Sequence, residues 1–167
     1  RLEQKVNAFF GDRESKQFGT GWWSGVLAAF FGVLAFGGVL CLHFPQILSS
    51  PELRAHYPMP VIRGGIQAAI VLALVLGAVS ALLRRKKALA LTGMLLAAAA
   101  LAWGGASVPI NEPLKDGPAI GLDWFLLDLF AMAAIYVPLE RFWPKNPKQG
   151  TFRPQWTLDM IYFLSTH

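Results

Sequence analysis

Four long apolar runs divide this chain, and the charged residues are gathered between them. The first run, Trp22 to Leu42, and the second, Gly64 to Leu83, carry no charge. The third extends from Ala88 to about Ile110, and the fourth, Leu122 to Leu139, contains Asp128. A helix needs about 20 apolar residues to cross ~30 Å of hydrocarbon at ~1.5 Å per residue. Each run meets or approaches that length. The pattern predicts an all-α fold, a polytopic transmembrane helix bundle with four full spans and the start of a fifth.

The segments between the runs complete the organisation. Residues 1–21 form a leader in which Leu2, Val6, Phe9 and Phe10 fall at helical spacing. Such a short amphipathic face suits either the membrane surface or packing on the protein itself. Residues 22–139 are the four-helix transmembrane domain. Between spans one and two, His43 to Arg63 is a proline-rich loop, and Ser50-Pro51-Glu52 reads as the start of a short helix. The tight Arg84–Lys87 turn makes spans two and three an antiparallel hairpin. Residues 140–155 are a basic connector, and 156–167 open a fifth helix. From Pro154 to His167 that helix would measure only about 20 Å. A helix stopping inside lipid leaves carbonyls unsatisfied, so residue 167 is expected to be a truncation point.

Along span one, small residues recur at every fourth position: Gly21, Gly25, Ala29 and, further on, Gly37 on one face, Ser24, Ala28 and Gly32 on another. In lipid, helices associate through close backbone approach at such residues. The face of Gly21, Gly25, Ala29 and Gly37 is therefore expected to be a helix-docking face.

Composition agrees with the pattern. The chain is 54% hydrophobic and 15% charged, against roughly 45–50% and about 25% in soluble domains. A net charge of +5 would suit nucleic acid, but the basic residues sit at the ends of apolar runs. There they set topology and meet anionic lipid. The expected partner is the bilayer, not nucleic acid. Four Lys/Arg lie in the leader, four in the two-to-three turn and four in the connector, against two and one in the other loops. The basic segments alternate with the others, so the N-terminus, the turn and the connector are expected in the cytoplasm. The lone Cys41 has no internal disulfide partner.

Asp128, inside span four, reads either as a headgroup- or proton-handling group or as a residue paired with a polar neighbour. His167, deep in the fifth helix, is either functional or a neutral imidazole bonded to another helix. Glu140, Arg141 and Asp159 lie at the basic surface, where they either support a nearby active site or pair with one another. Asp159 also complements the dipole of its helix.

The most distinctive stretch is Tyr136-Val137-Pro138-Leu139-Glu140-Arg141-Phe142-Trp143-Pro144, followed by Arg153-Pro154-Gln155-Trp156-Thr157-Leu158-Asp159-Met160-Ile161-Tyr162-Phe163. It resembles the region just upstream of the catalytic part in the sterol desaturase/fatty acid hydroxylase superfamily. The preceding spans resemble the N-terminal extension of some bacterial members, which implies a bacterial inner membrane. The resemblance implies a cytoplasmic di-iron centre, held by HxxxH and HxxHH boxes, that activates oxygen to hydroxylate or desaturate a lipid. This chain has three histidines, His43, His56 and His167, none at box spacing. No catalytic, cofactor-binding or metal-ligating residue is therefore assigned within it, and the di-iron site is expected beyond residue 167.

The leading functional expectation is the N-terminal membrane domain of such an oxidoreductase, with a lipid as substrate. The alternative is a non-catalytic transmembrane subunit packed by span one against a larger membrane complex, such as a photosynthetic or respiratory assembly. A small transporter is a weaker third reading, because no charged pair or broken helix marks a midplane site.

Overall fold

The computed structural model describes residues 19–111 and 120–142, together with Leu158, Ile161, Tyr162, Ser165 and Thr166; the side chains of Leu53 and of residues 140–142 are outside that description. The amphipathic leader segment, the loop residues Glu112, Lys115 and Asp116, most of the connector, Asp159 and His167 lie outside the described residues. Six helices and no strand occur among those described: α1 (Trp22–His43), α2 (Pro45–Leu48), α3 (Pro51–Arg54), α4 (Met59–Leu83), α5 (Ala88–Ala102) and α6 (Leu122–Phe142). The fold is all-α, and four helical segments are long and apolar enough to cross a membrane. The protein is an integral membrane protein.

Contacts divide the chain into two units, one spanning Arg13–Leu126 and one containing Leu127–His167. In the first, α1 packs on both α4 and α5, which also pack on each other. Its core is built from small and branched residues: Ala35, Val39 and Leu42 of α1, Ile66, Ile70 and Ala73 of α4, and Ala97 and Ala100 of α5. Alanines at the centre allow the backbones to approach, which is how helices gain contact where lipid is as apolar as leucine.

Glycines bring the helices closest. A Cβ on Gly32 of α1 would lie 2.7 Å from the Gly93 carbonyl oxygen of α5. A Cβ on Gly93 would in turn strike the Ala28 carbonyl and the Ala29 nitrogen. At the start of α1, Gly21 has φ +76, and a Cβ there would sit 2.8 Å from Leu83 Cβ. Only glycine satisfies both demands. The Gly21 carbonyl accepts a 2.7 Å hydrogen bond from Ser80 Oγ, which ties the start of α1 to the end of α4.

The helix ends differ from the sequence reading in three places. α4 starts at Met59 rather than Gly64, with proline in its first turn. A first-turn proline gives up a donor that would be unpaired anyway, so Pro60 opens the helix instead of extending the loop. α5 stops at Ala102 instead of reaching Ile110. Gly104 and Gly105 adopt φ +103 and +53 and lead into a 3-10 turn at Gly105–Ser107. α6 runs past Leu139 to Phe142 with Pro138 inside it.

A candidate polar clasp beneath the loops

The C-terminal end of α1, the short helices α2 and α3, the Gly104–Asn111 segment and the first turn of α6 meet at one end of the Arg13–Leu126 unit. Two charged side chains are buried there: Asp123 is 5% exposed and Arg54 9%. Burying an ion is costly unless it is hydrogen-bonded and balanced by opposite charge. The local structure supplies both.

Asp123 sits in the first turn of α6, where a carboxylate complements the positive end of the helix dipole. One of its oxygens accepts hydrogen bonds from the backbone N–H of Trp124, 2.9 Å, and of Ser50, 3.3 Å. The other accepts from the Tyr57 hydroxyl at 2.8 Å. Arg54 ends α3, and its Nη2 donates to the Asn111 carbonyl at 3.3 Å. Asn111 Nδ2 donates to the His43 carbonyl at the end of α1, 2.8 Å away. A chain of polar contacts therefore links three loop segments to two membrane helices.

Electrostatics tightens the group. Burial lowers the proton affinity of Arg54, an effect opposed by the negative charge of Asp123. The Tyr57 phenol is pushed well above its ordinary range, first by burial, then by its hydrogen bond to Asp123 and by the charge of that carboxylate. Tyr57 is thus held as a donor and Asp123 as an acceptor. Two buried nitrogens, Arg54 Nη1 and His43 Nδ1, have no hydrogen-bond partner among the described residues. What the arrangement does is fasten the α6 N-terminus to the loop layer while balancing one buried positive charge against one negative.

The residues singled out from the sequence are distributed elsewhere. Gly21 faces Ser80 and Leu83, Gly25 faces Ser80 and Leu89, and Gly37 faces Leu126. The backbone nitrogen of Ala29 lies against Gly93. These positions of α1 are therefore covered by α4, α5 and the start of α6 of the same chain. Asp128 is half-buried in the second turn of α6. Glu140 and Arg141 are in its last turn. Among the described residues, no three His, Cys, Asp or Glu side chains gather as metal ligands would. His43 stacks edge-on against Phe44 with ring centroids 4.5 Å apart, and the His56 ring is turned to the Glu52 carbonyl at 2.9 Å. These donors do not fit a di-iron centre.

The clasp itself is absent from the sequence reading. Arg54 and Tyr57 belong to a loop, and Asp123 stands at the edge of an apolar run. The available signal was an acid two residues after Gly121, in the first turn of a span. A search of known protein families, curated proteins and solved structures finds no match to the chain.

Proposed function

We propose that this chain is the N-terminal membrane domain of an oxygen-dependent lipid-modifying oxidoreductase resembling sterol desaturases and fatty acid hydroxylases. The observation that carries the reading is the motif from Tyr136 to Pro144 and its continuation from Arg153 to Phe163. Its first seven residues form the last two turns of α6, a helix long enough at 21 residues to deliver them to the membrane surface. In this reading the four apolar helices hold the protein in a bacterial inner membrane with its N-terminus in the cytoplasm. Oxygen chemistry on an unactivated lipid C–H bond needs a redox metal, which side chains cannot replace. The histidines described above do not fit that metal. The di-iron centre would belong to histidine boxes that follow the motif, and no step is assigned to residues of this chain.

The reading is tested on the whole gene product. The coding sequence downstream of His167 is expected to encode HxxxH and HxxHH boxes. The purified protein should hold a pair of irons per chain and consume oxygen with a lipid substrate. A gene product without such boxes, or one that holds no iron after expression in iron-replete medium, overturns the proposal in favour of a non-catalytic membrane subunit.

A further inference from the structure

A loop in water turns its polar side chains outward and its apolar ones inward. Part of the loop layer in this protein does the reverse. Ser49, Asp123 and Arg54 are 1%, 5% and 9% exposed. Phe44, Ile47, Trp103, Ile120 and Trp124 are 43%, 55%, 47%, 70% and 61% exposed. Ile47 and Ile120 are brought side by side by a 2.7 Å bond from the Ile120 N–H to the Ile47 carbonyl, although 73 positions separate them in sequence.

The backbone gives an independent indication. Carbonyls at helix ends and in loops are satisfied by water, by side chains or by tighter turns. In this layer side chains cap four of them. Ser49 Oγ donates to the Cys41 carbonyl, Asn111 Nδ2 to that of His43, and Arg63 to those of Ala106 and Val108. Internal satisfaction of this kind is what a segment needs where water is scarce.

We propose that the apolar side of this loop layer is immersed in the bilayer interface. Phe44, Ile47, Trp103, Ile120 and Trp124 contact lipid at the boundary between headgroups and acyl chains. These residues adjoin the spans in sequence, since Phe44 directly follows α1 and Ile120 lies two residues before α6. Tryptophan is the residue enriched at this depth. Exposed Glu52 and His56 mark where the same layer meets water. A lipid occupant fits a surface that is apolar, carries two indoles and adjoins lipid-facing helices. The inference is independent of the oxidoreductase reading.

The test is depth measurement by spin labelling on the full chain in phosphatidylcholine vesicles. In a Cys41→Ala background, single Ile47→Cys, Ile120→Cys and His56→Cys variants carry a nitroxide. Collision with oxygen, which concentrates in lipid, is compared with collision with a water-soluble nickel chelate. Labels at 47 and 120 are expected to favour oxygen, and the label at 56 to favour nickel. Preference for nickel at 47 and 120 overturns the proposal, because those positions then face water. Shielding from both reagents also overturns it, since a protein surface, such as a second copy of the chain, would then occupy the patch. Should a label disturb folding, tryptophan quenching by brominated lipid reads the same surface. Quenching should diminish in Trp124→Phe, and unchanged quenching counts against lipid contact.

Discussion

Gly32 and Gly93 meet backbone to backbone, with the space for a Cβ on Gly32 ending 2.7 Å from the Gly93 carbonyl oxygen. Neither helix can move away without losing the alanine contacts on both sides of this crossing. Gly93→Ala is therefore expected to destabilise, by about 1–3 kcal/mol as overpacking does elsewhere, and Gly93→Leu by more. Gly64 provides the contrast. It lies in α4, and a Cβ added there would meet nothing within 4 Å, so Gly64→Ala should be neutral or stabilising by up to ~1 kcal/mol. Unfolding midpoints in detergent for the two alanine variants should move in opposite directions or differ clearly. Equal midpoints would mean that the crossing is looser than these distances require.

Ser80 is 1% exposed, and its hydroxyl bonds to the Gly21 carbonyl at 2.7 Å. That carbonyl also accepts from Ser24 Oγ at 3.0 Å and from the Gly25 N–H at 3.1 Å. Removing one of three donors leaves no orphaned acceptor. Ser80→Ala should therefore cost only about 0.5–1.5 kcal/mol, in the range of an ordinary net hydrogen bond. Ser80→Leu should cost more, because the Cβ sites of Gly21 and Gly25 both point at Ser80. The same denaturation assay separates the two.

Tyr57 gives a pH-dependent prediction. Its folded-state proton affinity is raised by burial and by Asp123. A raised pKa contributes stability that is fully present below the unfolded value, about 10 for tyrosine. The contribution is lost as pH rises from there through the folded value. Of the three tyrosines, Tyr57 should ionise late, together with unfolding, and the tyrosinate absorbance of Tyr57→Phe should lack that late phase. Tyr57→Phe also strips one donor from a buried carboxylate, which costs about 1–3 kcal/mol. A double-mutant cycle with Asp123→Asn should show coupling of at least ~0.5 kcal/mol, as contacting residues do. Additive effects would dissolve the clasp.

Much of the fold was legible because a span is a local property. Twenty uncharged residues announce themselves wherever the helix finally packs, and the Arg84–Lys87 turn is too short for anything but a hairpin. The stripe of small residues on α1 was legible too, but its partner was not. Gly93 looks like any residue of an alanine-rich run until α5 is laid beside α1. Pro60 does not announce the start of α4, because proline both opens and breaks helices and only the neighbouring residues decide which. The clasp was hidden for a stronger reason. Tyr57 and Asp123 are 66 positions apart, and no periodicity relates a loop to a distant helix start. Asp128 drew attention as an acid within a span, whereas Asp123, at the edge of the run, is the one that the fold buries.

Sidedness follows from geometry and charge together. The Ser80–Gly21 bond places the start of α1 and the end of α4 at one end of the unit, next to the Arg84–Lys87 turn. The Asn111–His43 bond places the other loops at the opposite end. Geometry alone leaves two orientations, and we propose the one in which the Lys/Arg-rich segments face the cytoplasm. The leader and the turn hold eight of the fifteen basic residues, against three in the two opposite loops. That bias is what the positive-inside tendency reads as the cytoplasmic side, and labelling tests it. In a Cys41→Ala background, Arg85→Cys should react with a membrane-impermeant maleimide only in inverted vesicles, and His56→Cys only in intact spheroplasts. Both positions are exposed, so access depends on the side of the membrane and not on burial. Reaction of both from the same side would break the antiparallel arrangement itself. A clean reversal would keep the fold but put the polar clasp in the cytoplasm and the connector outside, which counts against a cytoplasmic di-iron centre downstream of it.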